Sequence, residues 1–171
     1  MALVVEDGTG LSNSNSYVSV LFVTTYLTDR ANETAWLLLT TAQQEASVIK
    51  ATDYIDRKYN GLWFGSQKAS TQSLAWPRVN AEDIEGNIIA SDSIPSQLEK
   101  AAAEAAIKAS TEDLLPDLER GGSIKSEKKK VGSIEKSTEY FSGANTNKSF
   151  QAVDTALRGL FRKAGMELTR A

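Results

Sequence analysis

The side chains able to do chemistry in this chain are few, and their types restrict what they can do. There is no histidine and no cysteine. Without them the commonest general base, the thiolate nucleophile and most transition-metal ligand sets are excluded. Carboxylates, lysine and tyrosine remain. Asp53 with Asp56, and Asp83 with Glu85, are spaced as carboxylate pairs for acid-base work. No other active-site feature accompanies either pair, so we expect no catalytic residue, no cofactor and no metal. The DGTG of residues 7–10 lacks the lysine of a phosphate-binding loop. Asp7, Asn13 and Asn15 lack the spacing and closing glutamate of a calcium loop. Both features read as turn structure.

The stronger chemical signal is charge. Lys128, Lys129 and Lys130 are consecutive, and phosphate contacts need only clustered positive charge. A strand would divide them, with Lys128 and Lys130 on one face and Lys129 on the other. Trp63, Phe64 and Trp76 could stack bases, as in single-strand binders; the plainer reading makes them the private core of a long loop. Charge is also uneven along the chain. Residues 1–119 hold 8 Lys/Arg against 17 Asp/Glu, a net −9, and residues 120–171 hold 11 against 5, a net +6. That asymmetry suits a nucleic-acid partner, or another copy meeting head to tail.

The elements that must position these residues read as mainly α. The expected domain is small, with about four helices, a charged β hairpin and a C-terminal helix. Ser19 caps a helix over 20–30. Trp36 and Leu37 to Leu39 follow as buried residues. Thr41 opens a helix to Tyr59, with Gln44 completing a capping box and Val48, Ala51, Ile55 and Tyr59 at helical spacing. Residues 60–93 form a long loop. A helix over 95–112 carries a narrow stripe of Leu98, Ala102, Ala105 and Ala109. Residues 124–141 alternate as a hairpin about Val131-Gly132-Ser133. It has too little apolar surface to fold alone.

Residues 1–141 are thus expected to be the helical domain, and 142–171 a flexible link with a docking helix. In that helix Leu157, Leu160 and Phe161 would offer an apolar face to a partner, rimmed by Arg158 and Arg162. In the loop, Trp76, Pro77 and Arg78 would form a clamp: an anchor, a stiff turn and a cation paired with a carboxylate. With 171 residues the chain is long enough for one core. No apolar run reaches membrane-spanning length, and MALVVEDG does not read as a signal peptide.

Six stretches together carry a resemblance: VVEDGTG, NSYVS, ATDYID, SLAWPR, LLPDLERGG and VGSIE, in that order along nearly the whole chain. The chain resembles a family of small tailed-phage proteins labelled DnaT-like single-stranded DNA-binding protein. Its members are similar in length and helix order to head-tail connector (adaptor, head-completion) proteins. The resemblance implies a structural virion protein: a closed homo-oligomeric ring of about twelve copies joining the portal to a downstream neck or tail protein. Double-stranded DNA would pass through the lumen without sequence specificity. Localisation would be the virion neck, with the host cytoplasm during assembly, and no membrane. The family label implies an alternative, a single-stranded DNA-binding protein acting in phage replication.

Overall fold

The computed structural model describes residues 2–116, 126–131, 134–139 and 149–161. The architecture is mainly α, with five α-helices and three two-stranded ladders among the described residues. It divides into a helical unit, residues 1–114 with 150–171, and a second unit, residues 115–149, which holds the hairpin.

Helices α1 and α3 start where a side chain satisfies their free amides. Ser19 Oγ accepts from Phe22 N at 3.1 Å and opens α1, Val20–Thr28. The short α2 is Thr34–Leu37. Thr40 and Gln43 form a reciprocal capping box at the head of α3, Thr41–Lys58. The box lies one residue earlier than expected because Gln44 is used elsewhere: its Nε2 donates to Trp36 O at 3.0 Å. Trp36 is fully buried and its indole N–H donates to Thr24 Oγ1 at 2.9 Å. Leu37 and Leu38 correct an expectation, since both are exposed, at 57% and 83%. Four-residue α2 has one inward position, and Trp36 takes it.

Helix α4, Ser96–Ala109, packs against α1, α3 and α5, the last being Gln151–Leu157. Its buried surface is wider than a narrow stripe. Ala101, Ala103, Ala106 and Ile107 are buried beside the four expected residues. A helix flanked on several sides needs small residues nearly all round, and alanine lets its neighbours approach closely.

The long loop is ordered by its own ladders. β1, Ser66–Gln67, pairs with β2, Arg78–Val79; β3, Ala81–Glu82, pairs with β4, Ile88–Ile89. Gly65 has φ of 66°, and a Cβ there would sit 2.2 Å from Val79 O, so only glycine fits the approach of the two chain segments. The N-terminal turn is organised by Glu6, a buried residue. Its carboxylate accepts from the amides of Gly8, Gly10 and Leu11 and from Ser14 Oγ. Four donors satisfy the charge that burial would otherwise penalise.

A second carboxylate ties the loop to the helices. Asp56 on α3 accepts from the Tyr17 hydroxyl and from Ala75 N, and Trp76 N donates to the same tyrosine oxygen. Burial raises the Asp56 carboxyl from 3.8 to about 6, against the lowering effect of these hydrogen bonds and of the Arg78 charge. Folding therefore takes up a proton at Asp56 between those two values. The stabilisation is fully present below 3.8 and is lost as pH rises through about 6. Its span is up to about 3 kcal/mol. Asp56→Asn mimics the protonated state. We expect wild type to lose thermal stability relative to this variant as pH is raised from 4 to 7; a constant difference across that range would contradict the linkage.

Candidate nucleic-acid interface

The hairpin is formed by β5, Ser126–Val131, and β6, Ile134–Glu139. They pair antiparallel, Lys128 opposite Ser137, Lys129 opposite Lys136, Lys130 opposite Glu135 and Val131 opposite Ile134. The expected outer ends, residues 124–125 and 140–141, lie outside the described residues. The register gathers charge that the sequence keeps apart. Within the pairs nearest the turn it sets four lysines against one glutamate. Like charges placed directly opposite, as at Lys129 and Lys136, destabilise a two-stranded ladder.

Of the three loop aromatics, Trp63 and Trp76 are not free to stack bases, and Phe64 is half-buried against the core. Trp63 is 3% exposed and Trp76 0%. Their rings meet edge to face at 6.0 Å, and Phe161 and Tyr59 complete the cluster around Trp63. Both indole N–H groups are buried without a hydrogen-bond partner, which fits rings held for their apolar surface. Pro77, joined to Trp76 by a cis peptide bond, is buried beside it. Arg78 donates to the carbonyls of Phe64 and Gly65 at 2.6 and 2.8 Å and to Ala75 O at 3.1 Å. The guanidinium thus ties residues 64–65 to Ala75 by their backbone oxygens, and the carboxylate it influences is Asp56.

The C-terminal helix differs most from expectation. Leu157 and Leu160 are fully buried, Val153 nearly so, and Phe161 stacks on Tyr59 with ring centroids 4.9 Å apart. After α5 the chain makes a 3₁₀ turn over Arg158–Leu160, and Phe161 bridges to Trp63. Phe64 N donates to Leu160 O at 3.4 Å. Asp154 receives Lys58 Nζ at 2.7 Å and the Tyr59 hydroxyl. The apolar face therefore belongs to the core of its own helical unit, and the expected docking role of Leu157, Leu160 and Phe161 is corrected. Arg158 is exposed. Arg162 and the expected link 142–148 lie outside the described residues.

The carboxylate pairs take structural places. Asp53 is exposed, 3.7 Å from Arg57, while Asp56 faces Tyr17. Asp83 shapes a turn by accepting from the amides of Glu85 and Asn87.

One aromatic arrangement was missed in the sequence. On α1, Phe22 and Tyr26 are half-buried against the core with ring planes 16° apart and centroids at 6.4 Å, and the Arg30 guanidinium lies over Tyr26 at 3.6 Å. The signal was present as i, i+4, i+8 spacing. Tyr26 donates its hydroxyl to Glu104 on α4 at 3.0 Å; burial and that carboxylate raise its pKa, so the ring stays neutral.

A family model described as "Putative DnaT-like ssDNA binding protein" matches residues 1–171. No curated protein and no solved structure matches the chain.

Proposed function

The chain belongs to the DnaT-like ssDNA binding protein family, and from that premise we propose that it binds single-stranded DNA without catalysis, through the phosphate backbone. The observation that carries the reading is the hairpin register, which sets Lys129 opposite Lys136 on one face and leaves Lys128 and Lys130 on the other. Lysine contacts of this kind give affinity without sequence preference, and each releases counterions from the strand. The helical unit serves as the folded support. Its acidic balance keeps DNA off most of its surface and leaves the basic end of the hairpin to make the contact.

The test is fluorescence anisotropy of a labelled oligothymidylate at low salt. Wild type is expected to bind in the micromolar range, and Lys128→Ala/Lys129→Ala/Lys130→Ala is expected to lose at least tenfold while keeping its melting temperature. Equal binding by the two proteins would contradict the assignment of contact to the hairpin.

A second reading is favoured by the hairpin's being a unit of its own. Two strands alone are marginally stable, so a neighbouring copy could cover them. This reading gives a ring of about twelve subunits at the phage neck, between the portal and a tail component, with duplex DNA in its lumen. Mass photometry decides: a closed higher oligomer supports the ring, whereas a monomer that binds single strands supports the first reading.

A further inference from the structure

We infer that Asn60, at the end of α3, is a site of spontaneous covalent self-modification, in which the backbone nitrogen of Gly61 displaces the side-chain amide of Asn60. Two pairs in the chain place an Asn or Asp before glycine, Asp7-Gly8 and Asn60-Gly61. Glycine has no Cβ to screen its nitrogen and can adopt backbone angles closed to other residues. The fold treats the two pairs in opposite ways. Gly8 is buried, and its N–H donates to Glu6 Oε1 at 3.1 Å, so that nitrogen is held. Asn60 and Gly61 are both exposed. Among the described residues, neither the Asn60 side chain nor the Gly61 N–H has a hydrogen-bond partner. Gly61 has φ of 78°, and a Cβ built there would meet nothing within 4 Å. The turn thus leaves the Asn60 side chain room to swing onto the nitrogen.

The atoms balance without an oxidant, a reductant or a second protein. Solvent hydroxide takes the Gly61 amide proton. The nitrogen then bonds to Asn60 Cγ, and the Cγ–Nδ2 bond breaks to release ammonia, leaving a cyclic imide. Water opens the ring in one of two places. Cleavage at Cγ gives aspartate in an ordinary linkage. Cleavage at the backbone carbonyl carbon of Asn60 gives isoaspartate, with the main chain rerouted through Cβ and Cγ. Either product sets a carboxylate at the C-terminal end of α3, where the helix dipole disfavours negative charge. Isoaspartate also adds an atom to the main chain between Tyr59 and Trp63, whose rings pack with centroids 6.0 Å apart. The other asparagines of the described residues, Asn13, Asn15, Asn32, Asn80 and Asn87, each precede a residue that carries a Cβ. Asn15 and Asn87 are also hydrogen-bonded through their side chains.

The experiment incubates the full chain at mildly alkaline pH, folded and in denaturant, and maps aspartate and isoaspartate by mass spectrometry of tryptic peptides. The peptide Tyr59–Lys68 holds Asn60 as its one asparagine. In the folded chain Asn60 is expected to convert at least about tenfold faster than Asn13, Asn15, Asn32, Asn80 or Asn87. Asp7 is expected to yield no isoaspartate there, and to begin to do so in denaturant, since only the fold holds the Gly8 nitrogen. Gly61→Ala should slow conversion about tenfold. Because alanine at this φ strains the turn, Asn60→Gln is the second variant; its longer side chain closes the ring poorly and should abolish the reaction in that peptide. Aged wild type is expected to melt below fresh wild type, whereas aged Asn60→Gln should melt as it does fresh. An Asn60 that converts in denaturant but stays intact in the folded chain, or that converts no faster than Asn15 or Asn87, would overturn the inference.

Discussion

Trp76→Ala is expected to destabilise the chain by about 3–5 kcal/mol and to lower its melting temperature by about 10 °C. The indole is fully buried and meets Trp63 edge to face. Its backbone N–H also joins the Tyr17–Asp56 network, so the ring anchors the segment that closes that network. Removing it leaves a cavity between the loop and α3 and loosens the Trp63 ring. Trp76→Phe fills part of the space and should cost less than half as much. Calorimetric melting checks both. An unchanged melting temperature for Trp76→Ala would mean that the loop is held without its anchor, contrary to the packing.

A loss at least as large is expected at the other end of the chain. Leu160→Asp places a carboxylate where no solvent reaches, and burial of an unpaired charge costs several kcal/mol. Ending the chain at Lys148 removes α5 with it. Helix α4 then loses the cover of Val153, Leu157 and Leu160, and Lys58 and Tyr59 lose Asp154. Both changes should abolish the cooperative melt by circular dichroism. A detachable arm predicts the opposite, a truncated chain that melts as wild type does. The intermediate variant Leu160→Ala should cost about 2–5 kcal/mol and keep the fold.

Much of this architecture is legible in the sequence because it depends on local rules. Ser19 caps α1 as its type and position dictate, and the spacing of Val48, Ala51, Ile55 and Tyr59 marks the inner face of α3. The pairing of Val131 with Ile134 follows from two strand-like runs flanking Gly-Ser in the sequence. What stayed hidden depends on contacts between distant residues. An amphipathic helix has the same pattern whether its face docks on a partner or on its own core, so α5 could not be placed from periodicity. Glu6 looks like any charged residue until Gly8, Gly10, Leu11 and Ser14 fold round it. A run of four apolar residues at 36–39 suggested burial, but a short helix turns only one of them fully inward. The α1 aromatic arrangement was legible as spacing, yet its ring orientation and the guanidinium over Tyr26 needed coordinates.

The most direct test of single-strand binding by the lysine-rich hairpin is the salt dependence of oligothymidylate affinity, measured in parallel on wild type and on Lys128→Ala/Lys129→Ala/Lys130→Ala. Each phosphate neutralised on a single strand contributes about −0.7 to the slope of log K against log salt. Wild type is expected to bind with a steep negative slope, and the triple variant with a slope shallower by about 2 and reduced affinity. Identical slopes in the two proteins, or no binding by wild type at low salt, would contradict a phosphate-binding hairpin.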